Sequence, residues 1–118
     1  MRGISASAAV AVALALAAGV AAADRRPHYD VPPGYTKCPK VTAWNGFFKW
    51  ASVRHTTCRR AEGFLRAYAA KAVRGPMPRR ARGFRCTITY WRNEEGDRYA
   101  SRHRCARLRV VVRFYGMV

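Results

Sequence analysis

Five arginines, Arg85, Arg102, Arg104, Arg109 and Arg113, crowd the last third of the chain, with Trp91 and Tyr115 among them. Guanidinium forks bind phosphates and carboxylates in bidentate fashion, and exposed aromatic rings stack on bases or sugar rings. If these residues share one outward face, they form a surface for an anionic polymer, and they are the expected binding residues. The bland alternative is a solubility charge drawn from arginine-rich coding, with 19 Arg against 4 Lys. The chain carries no RNA- or DNA-binding signature, so nucleic acid is one possible partner among anionic envelope polymers and lipid headgroups.

Hydrolytic chemistry has fewer candidates. Cleavage of RNA would draw its acid and base from His55, His103, Glu62, Glu94 and Glu95, with arginines stabilising the phosphorane. His103 is expected to face inward with Cys105, His55 sits just before a helix start, and Glu94 and Glu95 fall in a turn. His28 falls in a proline-rich stretch. Ser52 and Ser101 are the serines beyond the export segment, and neither has a nucleophile-elbow context. No carboxylate cluster suits calcium or magnesium and no glycine-rich phosphate loop occurs, so neither cofactor nor metal is expected. The Pro76–Arg82 segment could offer arginines to a trypsin-like pocket, or serve as a plain connector. The reading is a non-catalytic module binding an anionic cell-envelope or extracellular polymer. The alternatives are a small secreted ribonuclease and a protease inhibitor or interaction module.

Cys38, Cys58, Cys86 and Cys105 set the compartment. Four cysteines in an exported chain of this size read as two disulfides, with three pairings possible in principle. A two-residue turn at Glu95-Gly96 would place Cys86 opposite Cys105, which favours that bond and leaves Cys38 for Cys58. Each bridge closes a loop of about 20 residues, worth roughly 3 kcal/mol of chain entropy. Zinc is the competing use, with His55 and His103 near thiols, but neither spacing matches a finger or ribbon.

The elements that must position these residues follow from periodicity. Residues 1–23 have the apolar run and Ala21-Ala22-Ala23 end of a cleaved export signal, with no permanent membrane anchor expected. Of the 23 basic residues only Arg2 precedes Asp24, and Asp24 is the first of the 6 acids, so the chain from Asp24 onward carries +16. Residues 24–39, with Pro27, Pro32, Pro33 and Pro39, read as an extended arm, and residues 40–118 as a single domain. Within it, Asn45-Gly46 between Val41–Trp44 and Phe47–Trp50 signals a hairpin whose register sets Cys38 opposite Val53. Thr56 and Thr57 offer an N-cap to a helix whose inward stripe is Cys58, Ala61, Leu65, Tyr68 and Ala72, widened by Phe64 and Val73. Gly75-Pro76 stops it. Strands are expected at about 84–91, 98–105 and 108–115. In the last, Leu108, Val110, Val112 and Phe114 point inward and Arg107, Arg109, Val111, Arg113 and Tyr115 outward. The fold class is α+β: one helix on an antiparallel sheet of about four or five short strands, stapled by two disulfides, and monomeric.

The segments Val53, Thr57-Cys58-Arg59-Arg60-Ala61, Gly83-Phe84-Arg85-Cys86, Cys105 and Val110-Val111-Val112 together resemble a recurring class of small secreted actinobacterial proteins. The resemblance spans roughly Val53 to Tyr115. It implies export, two disulfides and a compact α+β fold, and no activity or functional residue, because that class has none established.

Overall fold

The computed structural model describes residues 29–117. The expected export signal, Arg25, Arg26 and His28 lie outside the described residues. In chain order the elements are β1 (Thr36–Cys38), β2 (Phe48–Arg54), α1 (Cys58–Ala72), β3 (Arg80–Ala81), β4 (Phe84–Arg92), β5 (Arg98–Arg107) and β6 (Val110–Met117). The strands form one antiparallel sheet of six in the order β1-β2-β6-β5-β4-β3. Among the described residues the α+β class with a single helix therefore stands, with six strands instead of four or five. The additional ones are short edge pieces. β1 comes from the end of the proline-rich segment and β3 from the end of the Pro76–Arg82 connector, where backbone pairing outweighs weak local pattern.

Helix α1 begins where its cap chemistry dictates. Thr57 holds extended backbone angles and its hydroxyl accepts the Arg60 N–H at 3.2 Å, satisfying one of the orphan donors of the first turn. Ala61, Phe64, Leu65, Tyr68, Ala69 and Ala72 are buried against the sheet. Val73, expected in the stripe, is 59% exposed because the helix has already ended. The core is aromatic: Phe48 meets Tyr68 and Phe114 edge-on at ring separations of 5.4 and 5.3 Å. Edge-to-face pairs of this kind suit the ring quadrupole.

Both expected turns form, but each in a modified way. Asn45 and Gly46 have φ of 52° and 82°, and Phe47 N–H donates to Trp44 O at 3.0 Å, the two positive angles of a primed hairpin turn. Pairing then stops after the single Ala43–Phe48 bridge. The chain turns again at Pro39–Lys40, so Cys38 lies opposite Ala51 and not Val53. In the β4–β5 hairpin, Cys86 does lie opposite Cys105. The turn itself runs from Asn93 to Asp97, whose carbonyl accepts the Asn93 N–H, with Gly96 at φ 85°. A register shift between Trp91 and Arg92 absorbs the extra residue. The disulfides are Cys38–Cys58 and Cys86–Cys105, and no free cysteine exists among the described residues. One bridge clips the helix start to the edge strand, the other crosses β4 and β5. They place the folded chain in an oxidising compartment. Among the described residues no helix is long and apolar enough to cross a membrane.

Strand β6 explains how one strand can bury almost every residue. Residues Val111–Gly116 are all buried, although an antiparallel strand covered on one face should alternate. Val112 and Phe114 join the core under α1, whereas Arg113 and Tyr115 point the other way and are covered by the segment Tyr29–Tyr35.

Candidate functional site

The sheet register assembles the outward face row by row. Arg85 lies beside Ala106 and Val111, Thr87 beside Arg104 and Arg113, and Thr89 beside Arg102 and Tyr115. Trp91 lies beside Ala100. Six of the seven expected binding residues thus share one face. Arg109 does not: it follows Leu108 in the two-residue turn between Arg107 and Val110, and β6 begins only at Val110. Leu108, expected inward, takes φ 54° there and is 96% exposed.

That turn nonetheless carries Arg109 back to the face. Arg54, His55, Arg104, Leu108, Arg109 and Val111 line a hollow of about 430 Å³ at the end of the outward face. Arg54 is the last residue of β2 and pairs with Val111, and His55 adopts φ 57° immediately after it. Among the described residues no carboxylate lines the hollow, and none pairs with Arg54, Arg104 or Arg109. Three guanidinium groups around one concavity concentrate positive potential that only an anion relieves. Farther along the face the Arg102 guanidinium sits 5.7 Å from the Trp91 ring centre. Sequence reasoning missed Arg54, because its position beside Arg104 and Arg109 depends on β2 pairing with β6, where Arg54 lies opposite Val111, 57 residues along the chain.

The arm covers the other half of this face. Arg113 donates from Nη1 to Asp30 O at 3.2 Å and from Nη2 to Asp30 Oδ1 at 3.4 Å, and its guanidinium lies 5.6 Å from the Tyr35 ring centre. Tyr115 donates its hydroxyl proton to Asp30 Oδ1 at 2.9 Å. Tyr29 packs against Trp50 and Tyr115 at 5.4 and 5.8 Å. Arg113 and Tyr115, expected on an open face, are therefore 7% and 1% exposed. The Tyr115 hydrogen bond, with Arg113 behind it, holds the Asp30 carboxyl below its ordinary value. Burial pushes the Tyr115 phenol up.

The opposite face holds a different kind of polar structure. His103 is fully buried, stacked on Phe114 at 4.6 Å. Its Nδ1 lies 2.8 Å from the Tyr68 hydroxyl and its Nε2 lies 2.7 Å from Ser101 Oγ. Tyr68 also donates to Pro78 O at 3.0 Å. A carbonyl only accepts, so the one hydroxyl proton of Tyr68 points to Pro78. Nδ1–H then donates to Tyr68, and Ser101 donates to Nε2. This is the order of a nucleophile and its base, but burial lowers the His103 pKa to about 3. An imidazolium would have only the neutral hydroxyls of Tyr68 and Ser101 beside it, so the chain of bonds ties helix, sheet and loop together and is a poor proton acceptor at neutral pH. His55 lines the outward hollow, so the two histidines of the hydrolytic reading lie on opposite faces. Glu62 pairs with Arg66 on the helix, and Glu94 and Glu95 are exposed in the β4–β5 turn.

Ser101 also lines a groove of about 900 Å³ beyond the helix end, with Phe47, Met77, Tyr90, Tyr99 and the arginines 79 and 98 among its walls. Arg98 reaches it because the register shift near the turn reverses the side chains, laying its guanidinium 3.8 Å from the Tyr90 ring centre. No group of three or more metal-ligating side chains occurs among the described residues. No protein-family model, curated protein or solved structure matches this chain.

Proposed function

We propose that the protein is a secreted, non-catalytic module that binds an anionic polymer of the cell envelope or extracellular space along the outward face of its sheet. The observation that carries this reading is the hollow walled by Arg54, His55, Arg104 and Arg109, with no carboxylate in it among the described residues. From there the open half of the face continues over Arg104 to Arg102 and Trp91, so successive anionic groups of a chain meet successive guanidinium groups. Arginine suits this use because its fork matches phosphate and carboxylate geometry. The +16 charge downstream of the export signal adds long-range attraction that salt screens.

The test is binding of a dye-labelled single-stranded RNA and of labelled polyphosphate to the oxidised chain beginning at Asp24, followed by anisotropy across a salt series. Both should bind more weakly as salt rises and remain intact on a gel. Reversing Arg54 and Arg104 to Glu should weaken binding at low salt by about tenfold or more and flatten the salt slope, while the melting temperature holds. Unchanged affinity in this double variant would sink the assignment, and cleavage of the RNA would turn attention to hydrolysis.

A further inference from the structure

We propose that Tyr29 and Asp30 occupy a subsite for single-stranded nucleic acid as the chain's own stand-in, Asp30 in the place of a phosphate and Tyr29 in the place of a base. The proposal rests on the polyanion reading above and names both the polymer and a built-in competitor for it.

The contacts define what the subsite accepts. Arg113 presents two N–H groups and Tyr115 one O–H to the carbonyl and carboxylate of a single residue, which is a donor set for an oxyanion. One residue along the chain, a planar aromatic ring packs tilted against Trp50 and edge-on to Tyr115, with the Lys37 ammonium 5.9 Å from its centre. The occupant is thus an anionic group with a planar ring beside it. A nucleotide carries that pair of features, and every base has a face to stack. The neighbours extend the path in the same chemistry: Arg104 adjoins Arg113, Arg102 adjoins Tyr115, and Arg104 leads into the hollow.

The stand-in is held lightly enough to leave. Tyr29 is 37% exposed and the Asp30 side chain 58% exposed, and ion pairs open to solvent contribute little. Beneath them Arg113 is almost wholly covered, so the latent site is well formed and its plug is loose. A polymer entering it must displace the arm. Its apparent affinity is reduced by the fraction of molecules whose arm is in place.

Two labelled probes of matched charge, oligoadenylate and polyphosphate, separate ring from charge, and Tyr29→Ala empties the ring position without changing any charge. That variant should bind oligoadenylate about fivefold or more tighter than the parent and polyphosphate about equally, the scale of one stacked base. Trp50→Ala added to it should cancel the gain. Asp30→Ala should tighten both probes more than Asp97→Ala, which removes the same charge from the β4–β5 turn. Melting temperatures of the oxidised variants check that each folds. No tightening of oligoadenylate in Tyr29→Ala, or equal tightening for both probes, would overturn the nucleic-acid subsite. If the parent binds and Arg54/Arg104 reversal weakens it in the same experiment, the polyanion reading survives that loss. If the parent binds neither probe at low salt, both fall.

Discussion

The two faces of the sheet bury polar groups in opposite ways. On the helix side, Ser101, His103 and Tyr68 are closed in by Phe48, Phe64 and Phe114, and each donor meets an acceptor with every group neutral. On the arm side, Arg113 keeps its charge, met by a carboxylate that solvent still reaches. Burying an unpaired ion is costly, whereas a fully bonded neutral network is tolerated. The helix face can therefore be sealed, and the charged face is closed only by a cover that water or another anion can replace. Permanent structure belongs to the first and exchangeable contact to the second.

Acid should separate the faces most widely. His103 has a folded pKa of about 3 against an unfolded value of 6.5. Its contribution is therefore present above pH 6.5 and is lost as pH falls from there towards 3, because only the unfolded chain takes up the proton. Integrated over that window the loss is on the order of 5 kcal/mol. Asp30, lowered from 3.8, acts in a more acidic window: its contribution is present above 3.8 and lost as pH falls through the folded value. Chemical denaturation at a series of pH values should show stability declining below pH 6.5, and His103→Gln should remove most of that slope between 6 and 4.

Tyr68→Phe should come next in size. It leaves Pro78 O without its donor and His103 Nδ1–H without an acceptor, a destabilisation of about 1–3 kcal/mol measured by urea unfolding. Gly116→Ala should be comparable. A Cβ there would lie 2.7 Å from both the Phe47 ring and Ser101 Oγ, so the cross-strand neighbours must shift, at about 1–3 kcal/mol. A melting temperature equal to the parent's would show that Phe47 yields freely. Asp30→Ala should be the mildest, about 1 kcal/mol or less. If it destabilised as much as Tyr68→Phe, the arm would be an integral layer of the fold and not an exchangeable cover.

Much of the architecture was readable in local chemistry. Thr57 capping α1, the apolar stripe from Ala61 to Ala72 and the turn at Asn45-Gly46 depend on residues within a few positions of one another. The placement of Cys86 opposite Cys105 was readable too, although the turn that delivers it has one more residue and a compensating register shift. β1 and β3 were not legible, because strands of three and two residues exist only through the partners they pair with. Alternation along β6 sorted Arg113 and Tyr115 to the outward face but carried no trace of the arm that covers them.

The sequence by itself determined the sign of the surface, the helix, the main strands and which side chains share a face, because charge, caps and periodicity act over short stretches of chain. Only the tertiary structure decided which arginines stand open. Arg54 joins Arg104 and Arg109 through strand pairing, and Arg113 is lost to Asp30 across 83 residues. Contacts at such separations depend on how whole elements pack, and no local pattern encodes them.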